Sequence, residues 1–249
     1  MLTFIGIGIP VNIVLFEKDE LSISLPFHDE RAKHIRKILK LKPGESFRSG
    51  TVNGLQGHSI LKEMVDKNLY LEHYHQNQNP PPFPIKLICG TPRPNSAKRM
   101  LRDATSMGVA SITFVNSDLG EKSYRDSHVL KDEYVRGLLK QGAEQAYSSS
   151  LPEFARVDSL EQVISEVDDS YKICFDNVDH ALSPSEMSMA QGSAVTCFIG
   201  SERGWSQRER QLFAEAKVHS FQLGPRVLRA DTAFIAALSL TQFKMGLFD

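Results

Sequence analysis

Cysteine is scarce in this sequence. The three present (Cys89, Cys174, Cys197) are widely separated, and each sits inside an apolar run. An odd number without metal-ligand spacing fits neither a disulfide framework nor a zinc site. The chain is therefore expected to be cytoplasmic, with three reduced, buried thiols and no metal. Net charge is nearly absent as well, since 29 Lys and Arg face 30 Asp and Glu. That balance excludes a histone-like polycation but leaves room for local basic patches. No apolar run reaches the length of a membrane span, so no membrane partner is expected. Met1–Phe16 comes nearest to a secretory signal. No Lys or Arg precedes its apolar residues, however, Pro10 and Asn12 interrupt them, and no small-residue cleavage site follows. Residues 1–11 read as an extension ahead of a first strand. The sequence also lacks a G-x-x-x-x-G-K-[ST] loop, a G-x-G-x-x-G after a strand, a G-x-S-x-G elbow, H-E-x-x-H and C-x-x-C. Kinase, ATPase, dinucleotide and zinc-protease chemistry all lose support.

What is present falls into two halves. The stretch Gln76-Asn-Gln-Asn-Pro-Pro-Pro-Phe-Pro84 holds three consecutive prolines, which no helix or central strand accommodates, and reads as a stiff connector. Before it, short strands fit at 12–16, 21–25, 46–52, 58–65 and 69–75, with a hairpin turn over Gly54–Gly57 and one helix near 28–39. This pattern predicts a small β-barrel. After it, strands at 85–90, 111–115, 171–176, 194–199 and 218–223 alternate with helices at 95–107, 128–148, 159–166, 206–216 and 231–247. Such alternation predicts a parallel sheet with helices on both faces. The expected domains are 1–79 and 80–249.

The helix of the first half carries Arg31, Lys33, Arg36, Lys37 and Lys40, with Ile35, Ile38 and Leu39 as its apolar stripe. A basic face of this kind is either simply solvated or contacts phosphate. His34 and Arg48 would extend it. Arg93, Lys98, Arg99 and Arg102 form a second basic cluster at the start of the second half.

Two glycine-hinged loops follow predicted strands late in the chain. One is Cys197-Phe-Ile-Gly-Ser-Glu-Arg-Gly-Trp-Ser206, leading into a Ser206-Gln-Arg-Glu209 capping box. The other is Phe221-Gln-Leu-Gly-Pro-Arg-Val-Leu-Arg-Ala-Asp-Thr-Ala233, where Asp231 or Thr232 is expected to cap the last helix. Loops at the carboxyl ends of parallel strands are where such sheets bind ligands. Two in succession predict a site of unspecified kind.

These loops, Ile199-Gly-Ser-Glu-Arg-Gly-Trp-Ser-Gln-Arg-Glu209 and Leu223-Gly-Pro-Arg-Val-Leu-Arg-Ala-Asp-Thr-Ala233, resemble the ribosomal RNA small subunit methyltransferase E (RsmE) family of the SPOUT superfamily. Its members carry I-G-P-E-G-G-F-S-x-x-E and L-G-x-R-I-L-R-x-E-T-A. His34–Gly44, Ala104–Val109 and Gly142–Gln145 resemble further family blocks in the same order. Ser201, Arg203 and Asp231 depart from the family pattern, and Ala146-Tyr-Ser148 replaces its Ser-x-Arg. The resemblance implies a PUA-like RNA-binding barrel followed by a SPOUT α/β domain with a deep trefoil knot. It also implies a homodimer that transfers methyl from S-adenosyl-L-methionine to N3 of one uridine in 16S rRNA of the small subunit. Action on tRNA, action on a ribose 2′-OH, and an inactive assembly factor remain the alternatives.

On this resemblance the cofactor is expected among Phe175, Gly200, Ser201, Glu202, Leu223, Gly224, Val227, Leu228, Arg229 and Thr232. Arg229 is the candidate to stabilise charge on the uracil oxygens, unless it only pins its loop. Glu202 and Asp231 are the candidate bases. Arg31, His34, Arg36, Lys37, Lys40, Arg48, Arg93 and Arg99 are the candidate RNA contacts. Trp205 is assigned to the core or a dimer interface in preference to base stacking.

Overall fold

The computed structural model describes residues 12–167, 171–178, 180–190 and 192–248. The expected extension over 1–11 lies outside them. Two compact units divide the chain. One comprises the residues up to Pro81 together with Ala143–Leu151, and the other Pro82–Gly142 with the residues from Pro152 onward. The division thus falls two residues beyond the expected 79/80, and 143–151 returns to the first unit, which no single linear boundary can express.

In the first unit β1 (Val14–Phe16), β2 (Leu25–Pro26), β3 (Ser46–Thr51), β4 (Gln56–Val65) and β5 (Asn68–Asn77) form one sheet in the order β1-β3-β4-β5-β2. Only the β1–β3 pair is parallel. Asp66 and Lys67 both take positive φ, 49° and 60°, so the β4–β5 hairpin closes through a two-residue turn of the hand that suits twisted strands. The strand expected at 21–25 is reduced to the two paired residues of β2, after a 3-10 turn over Lys18–Glu20. Helix α1 (Glu30–Lys33), capped by the Asp29 side chain, runs on into a π-helical turn over His34–Ile38. Leu39 N–H donates to His34 O at 3.0 Å, five residues back. The extra residue per turn rotates Ile38 off the apolar stripe, and it is 69% exposed. The core is built instead from Phe16, Ala32, Ile35, Phe47, Leu61 and Leu69.

The second unit holds β6 (Phe83–Gly90), α2 (Pro94–Ser106), β7 (Val109–Val115), α3 (Lys122–Arg125), α4 (Asp132–Gln145, whose last turn belongs to the first unit), β8 (Glu153–Val157), α5 (Leu160–Glu166), β9 (Tyr171–Phe175), β10 (Val195–Ile199), α6 (Gln207–Glu215), β11 (His219–Phe221) and α7 (Ala230–Lys244). Its six strands are all parallel, in the order β11-β9-β10-β6-β7-β8. β10 is buried along its whole length, as a central strand covered on both faces must be. One face packs Ile88, Cys174 and Phe198 against Leu160, Val163, Trp205 and Phe213 from the α5 and α6 side. On the other, Thr241 of α7 bonds the Cys197 thiol, and Gln242 donates to Met107 O at 2.5 Å. All three cysteines are free and buried, and burial pushes the Cys197 thiol up to about 12. The single helix expected over 128–148 is divided into a 3-10 turn at His128–Leu130 and α4, and α3 precedes it. The connector shrinks because β5 runs to Asn77 and β6 begins at Phe83. Among the described residues no helix is long and apolar enough to cross a membrane.

Candidate active site

The carboxyl ends of β9, β10 and β11 open together on a cavity of about 310 Å³. Phe175 and Asp176 form one wall, Ile199–Trp205 a second, and the segment from Leu223 to Leu228 a third. This is the edge at which a parallel sheet presents backbone N–H groups and loop side chains to ligands.

The loop after β10 is wound tightly. A Cβ on Gly200 would stand 2.8 Å from Gly204 Cα. Gly204 takes φ +70° and donates its N–H to Ser201 O at 2.9 Å. Only glycine permits both the close approach and the left-handed backbone. The expected capping box fastens the far end: Ser206 Oγ accepts from Glu209 N–H at 3.1 Å, and Glu209 Oε2 accepts from Ser206 N–H at 2.7 Å. Glu209 is fully buried, and its second oxygen accepts from Asp118 N–H at 3.0 Å. Trp205 is buried edge-on to Phe213, so it belongs to the core. Glu202 Oε1 accepts from Arg93 N–H at 3.1 Å, which ties the loop to the start of α2.

The loop after β11 turns at Gly224 (φ +98°), where a Cβ would meet nothing within 4 Å. Val227 beside the cavity is 83% exposed, a large apolar side chain without protein cover. Helix α7 is capped by neither Asp231 nor Thr232. Arg229 occupies the N-cap position with extended backbone and no side-chain bond. From within the first turn, Asp231 Oδ1 accepts from Thr232 N–H at 3.2 Å, while Oδ2 accepts from Arg99 Nη1 at 3.0 Å and Oδ1 lies 3.7 Å from Arg229 Nε. Ala230 and Ala233 line the cavity, whereas Arg229, Asp231 and Thr232 do not. The cavity therefore gathers Phe175, Gly200, Ser201, Glu202, Leu223, Gly224, Val227 and Leu228, and leaves Arg229 and Thr232 outside its lining.

One pairing here is invisible in the sequence. Arg210, in the first turn of α6, grips Asp176 at the end of β9 with Nε–Oδ2 at 2.7 Å and Nη2–Oδ1 at 3.3 Å. The hydrogen bond to Asp176 raises the Arg210 pKa against the burial that opposes it. The partners are separated by 34 residues, and only the adjacency of β9 and β10 brings them together.

The basic candidates divide. Arg31 is not available to RNA. Its guanidinium forks onto Glu20 and Asp29, and although burial opposes the charge, those two carboxylates raise its pKa. Arg36 lies over the Phe27 ring, 3.5 Å from its centroid, and burial lowers the pKa of His34. Lys37, Lys40, Arg48, Arg93 and Arg99 are exposed.

A family model described as an RNA methyltransferase domain matches residues 79–242. A Treponema pallidum protein named ribosomal RNA small subunit methyltransferase E is 33% identical over 239 residues, spanning 92% of this chain and 90% of its own. The chain belongs to the methyltransferase E family. A Borreliella burgdorferi member, named ribosomal RNA small subunit methyltransferase E 1, is 27% identical over 94% of this chain and 99% of its own. The fold agrees with the methyltransferase E structure of Neisseria gonorrhoeae bound to S-adenosyl methionine, with TM-score 0.76, 18% identity, and 94% and 98% of the two chains covered. It agrees also with a probable rRNA-methyltransferase of Porphyromonas gingivalis, with TM-score 0.77, 20% identity, and 95% and 100% covered. In this methyltransferase family member, the two glycine loops that carried the resemblance are the two that wall the cavity.

Proposed function

We infer that the chain transfers the methyl group of S-adenosylmethionine to N3 of a uridine in 16S rRNA of the small ribosomal subunit. The observation that carries this is the cavity: two glycine loops expose their backbone to it, and Val227 stands bare beside it. The residues present fit the cofactor. Ile199, Leu223, Val227 and Leu228 offer an apolar slot for a flat base, with peptide groups at its edge. Arg203 and Arg226 offer cations for the carboxylate of a methionine-like end.

When bound, the cofactor supplies a methyl already activated on a sulfonium, so the protein's task is alignment and charge control. Uracil N3 carries a proton and a conjugated lone pair, and charge develops on O2 and O4 as the proton leaves. Arg229, with its side chain 83% exposed and its Nε toward Asp231, is free to turn its fork of donors to those oxygens. Asp231, held by Arg99, orients Arg229 and is poorly placed to accept a proton. Glu202 keeps its second oxygen for that task.

The first unit is the PUA-like barrel that contacts RNA, and Lys37, Lys40 and Arg48 remain on its surface as phosphate contacts. A trefoil knot is supported by the chain path, since β10 lies between β9 and β6, and α7 returns from the far edge to bond Met107. A cytoplasmic homodimer completes the reading. The test is to incubate the protein with labelled cofactor and undermethylated small subunits, then map the modified nucleoside. Label in N3-methyluridine of 16S rRNA is expected. Label in tRNA or 2′-O-methyl nucleosides would overturn the substrate. Absence of cofactor binding up to millimolar concentration would overturn methyl transfer itself and leave an assembly factor.

A further inference from the structure

The outer face of the first unit's sheet holds planar side chains in a row. Arg48 of β3 is the register partner of His58 of β4, and His58 is the partner of Tyr74 of β5. All three are exposed, on the opposite face from buried Phe47, Ser49 and Ser59. The His58 and Tyr74 rings are stacked, with centroids 5.1 Å apart and planes 13° from parallel. At the other end the Arg48 guanidinium lies over the Tyr147 ring, 5.1 Å from its centroid. Tyr147 holds this position with φ +55° in the stretch that returns to the first unit after α4. Three exposed flat groups thus follow one another across three strands, with Tyr147, partly buried and packed on the Ile13, Leu15 and Ala143 cluster, behind Arg48. Beyond Tyr74 the edge of β5 is unpaired by any described strand, since β2 reaches only Asn68 and Leu69.

The platform is stiff. Beneath it Ser49 Oγ meets Ser59 Oγ at 2.5 Å and His75 Nε2 at 2.8 Å, and Ser59 Oγ meets His73 Nδ1 at 2.6 Å. At Gly57 the strands approach so closely that a Cβ would fall 1.9 Å from Tyr74 O. No acidic side chain among the described residues pairs with Arg48, which leaves a cation within the row for a phosphate. Stacking planes together with a free cation match an unpaired RNA strand. A duplex keeps its base faces stacked on one another and cannot use them.

We propose that the exposed row Arg48–His58–Tyr74, with Tyr147 packed behind Arg48, is a stacking surface for unpaired nucleotides of the RNA substrate. This rests on the reading of the first unit as RNA-binding and specifies its surface and the form of RNA it takes. The experiment is fluorescence anisotropy of the full chain with a labelled unstructured RNA of about ten nucleotides and with a duplex of equal length. The wild type should prefer the unpaired RNA. Tyr74→Leu and His58→Ala should each weaken that binding about tenfold, while Tyr74→Phe keeps it, as expected of a stacking role. Calorimetry with S-adenosylmethionine should give wild-type affinity for all variants, and their thermal-unfolding profiles should match the wild type, which certifies the fold of both units. Equal binding by Tyr74→Leu and wild type, or a preference for duplex, would overturn the stacking surface alone. No RNA binding by the wild type would overturn it together with the RNA-binding reading of the first unit.

Discussion

Arg229 and Asp231 stand two residues apart at the head of α7, yet the ion pair from Arg99 gives them different parts. A carboxylate already accepting from one guanidinium and facing another is a clamp, and the exposed guanidinium is the group left to act on substrate. Arg229→Ala should therefore lower single-turnover methyl transfer on the order of 100-fold, with cofactor affinity by calorimetry unchanged. Lysine, a point charge without the fork, should restore little. Asp231→Asn should cost only about tenfold, since the amide still accepts from Arg99. Complete loss in the asparagine variant would make Asp231 the base. The glycine loops that wall the cavity were legible because Gly200, Gly204 and Gly224 are required by close approach or positive φ, which a sequence records directly. The Arg210–Asp176 grip was not legible, because nothing in the spacing of an arginine and an aspartate 34 residues apart says that their strands are neighbours. Arg31 misled for a similar reason: a basic residue on a helix reads as surface until the fold brings Glu20 to it.

At the scale of elements, the Ser206–Glu209 box was the clearest signal, and the structure gives it a second duty through the bond from Asp118 N–H. Glu209→Ala would remove the buried carboxylate that accepts from the Ser206 and Asp118 N–H groups. It should cost about 1–3 kcal/mol in urea denaturation, and weaken cofactor binding by loosening the loop. The sheet of the first unit has its own weak point. Burial, and then the neighbouring His75, lower the His73 pKa from 6.5 to about 4. The folded state therefore disfavours the proton that the unfolded chain accepts. The stability contributed by neutral His73 is complete above pH 6.5 and declines as pH falls from there toward 4. Half-burial limits the loss to about 1–2 kcal/mol. His73→Gln should flatten the thermal-unfolding midpoint across this window relative to wild type. Two elements escaped the sequence reading for physical reasons. The π turn at His34–Ile38 keeps helical composition while shifting the phase, so a 3.6-residue stripe places Ile38 wrongly. β8, an edge strand with a mostly exposed Glu-Phe-Ala-Arg-Val sequence, lacks the apolar run that marks buried parallel strands.

Over the whole molecule, strand–helix alternation was sufficient to announce a parallel sheet, but its order β11-β9-β10-β6-β7-β8 depends on contacts between residues far apart in the chain. The last helix depends on that order most. α7 buries Phe234, Ala237, Leu238 and Thr241 against the second unit. It nevertheless leaves Ile235 37% and Phe243 62% exposed, with Phe248 following just beyond its end. A helix that is apolar on more than one side carries a second contact surface, and a second copy of the chain would cover it in the proposed homodimer. Phe243→Glu places a charge at that surface without touching the cavity lining. Sedimentation velocity should show the variant as a monomer at concentrations where the wild type is dimeric, with the association constant at least about tenfold weaker. Its far-ultraviolet spectrum should remain that of the folded chain. A variant that sediments with the wild type would place the subunit contact elsewhere than on α7.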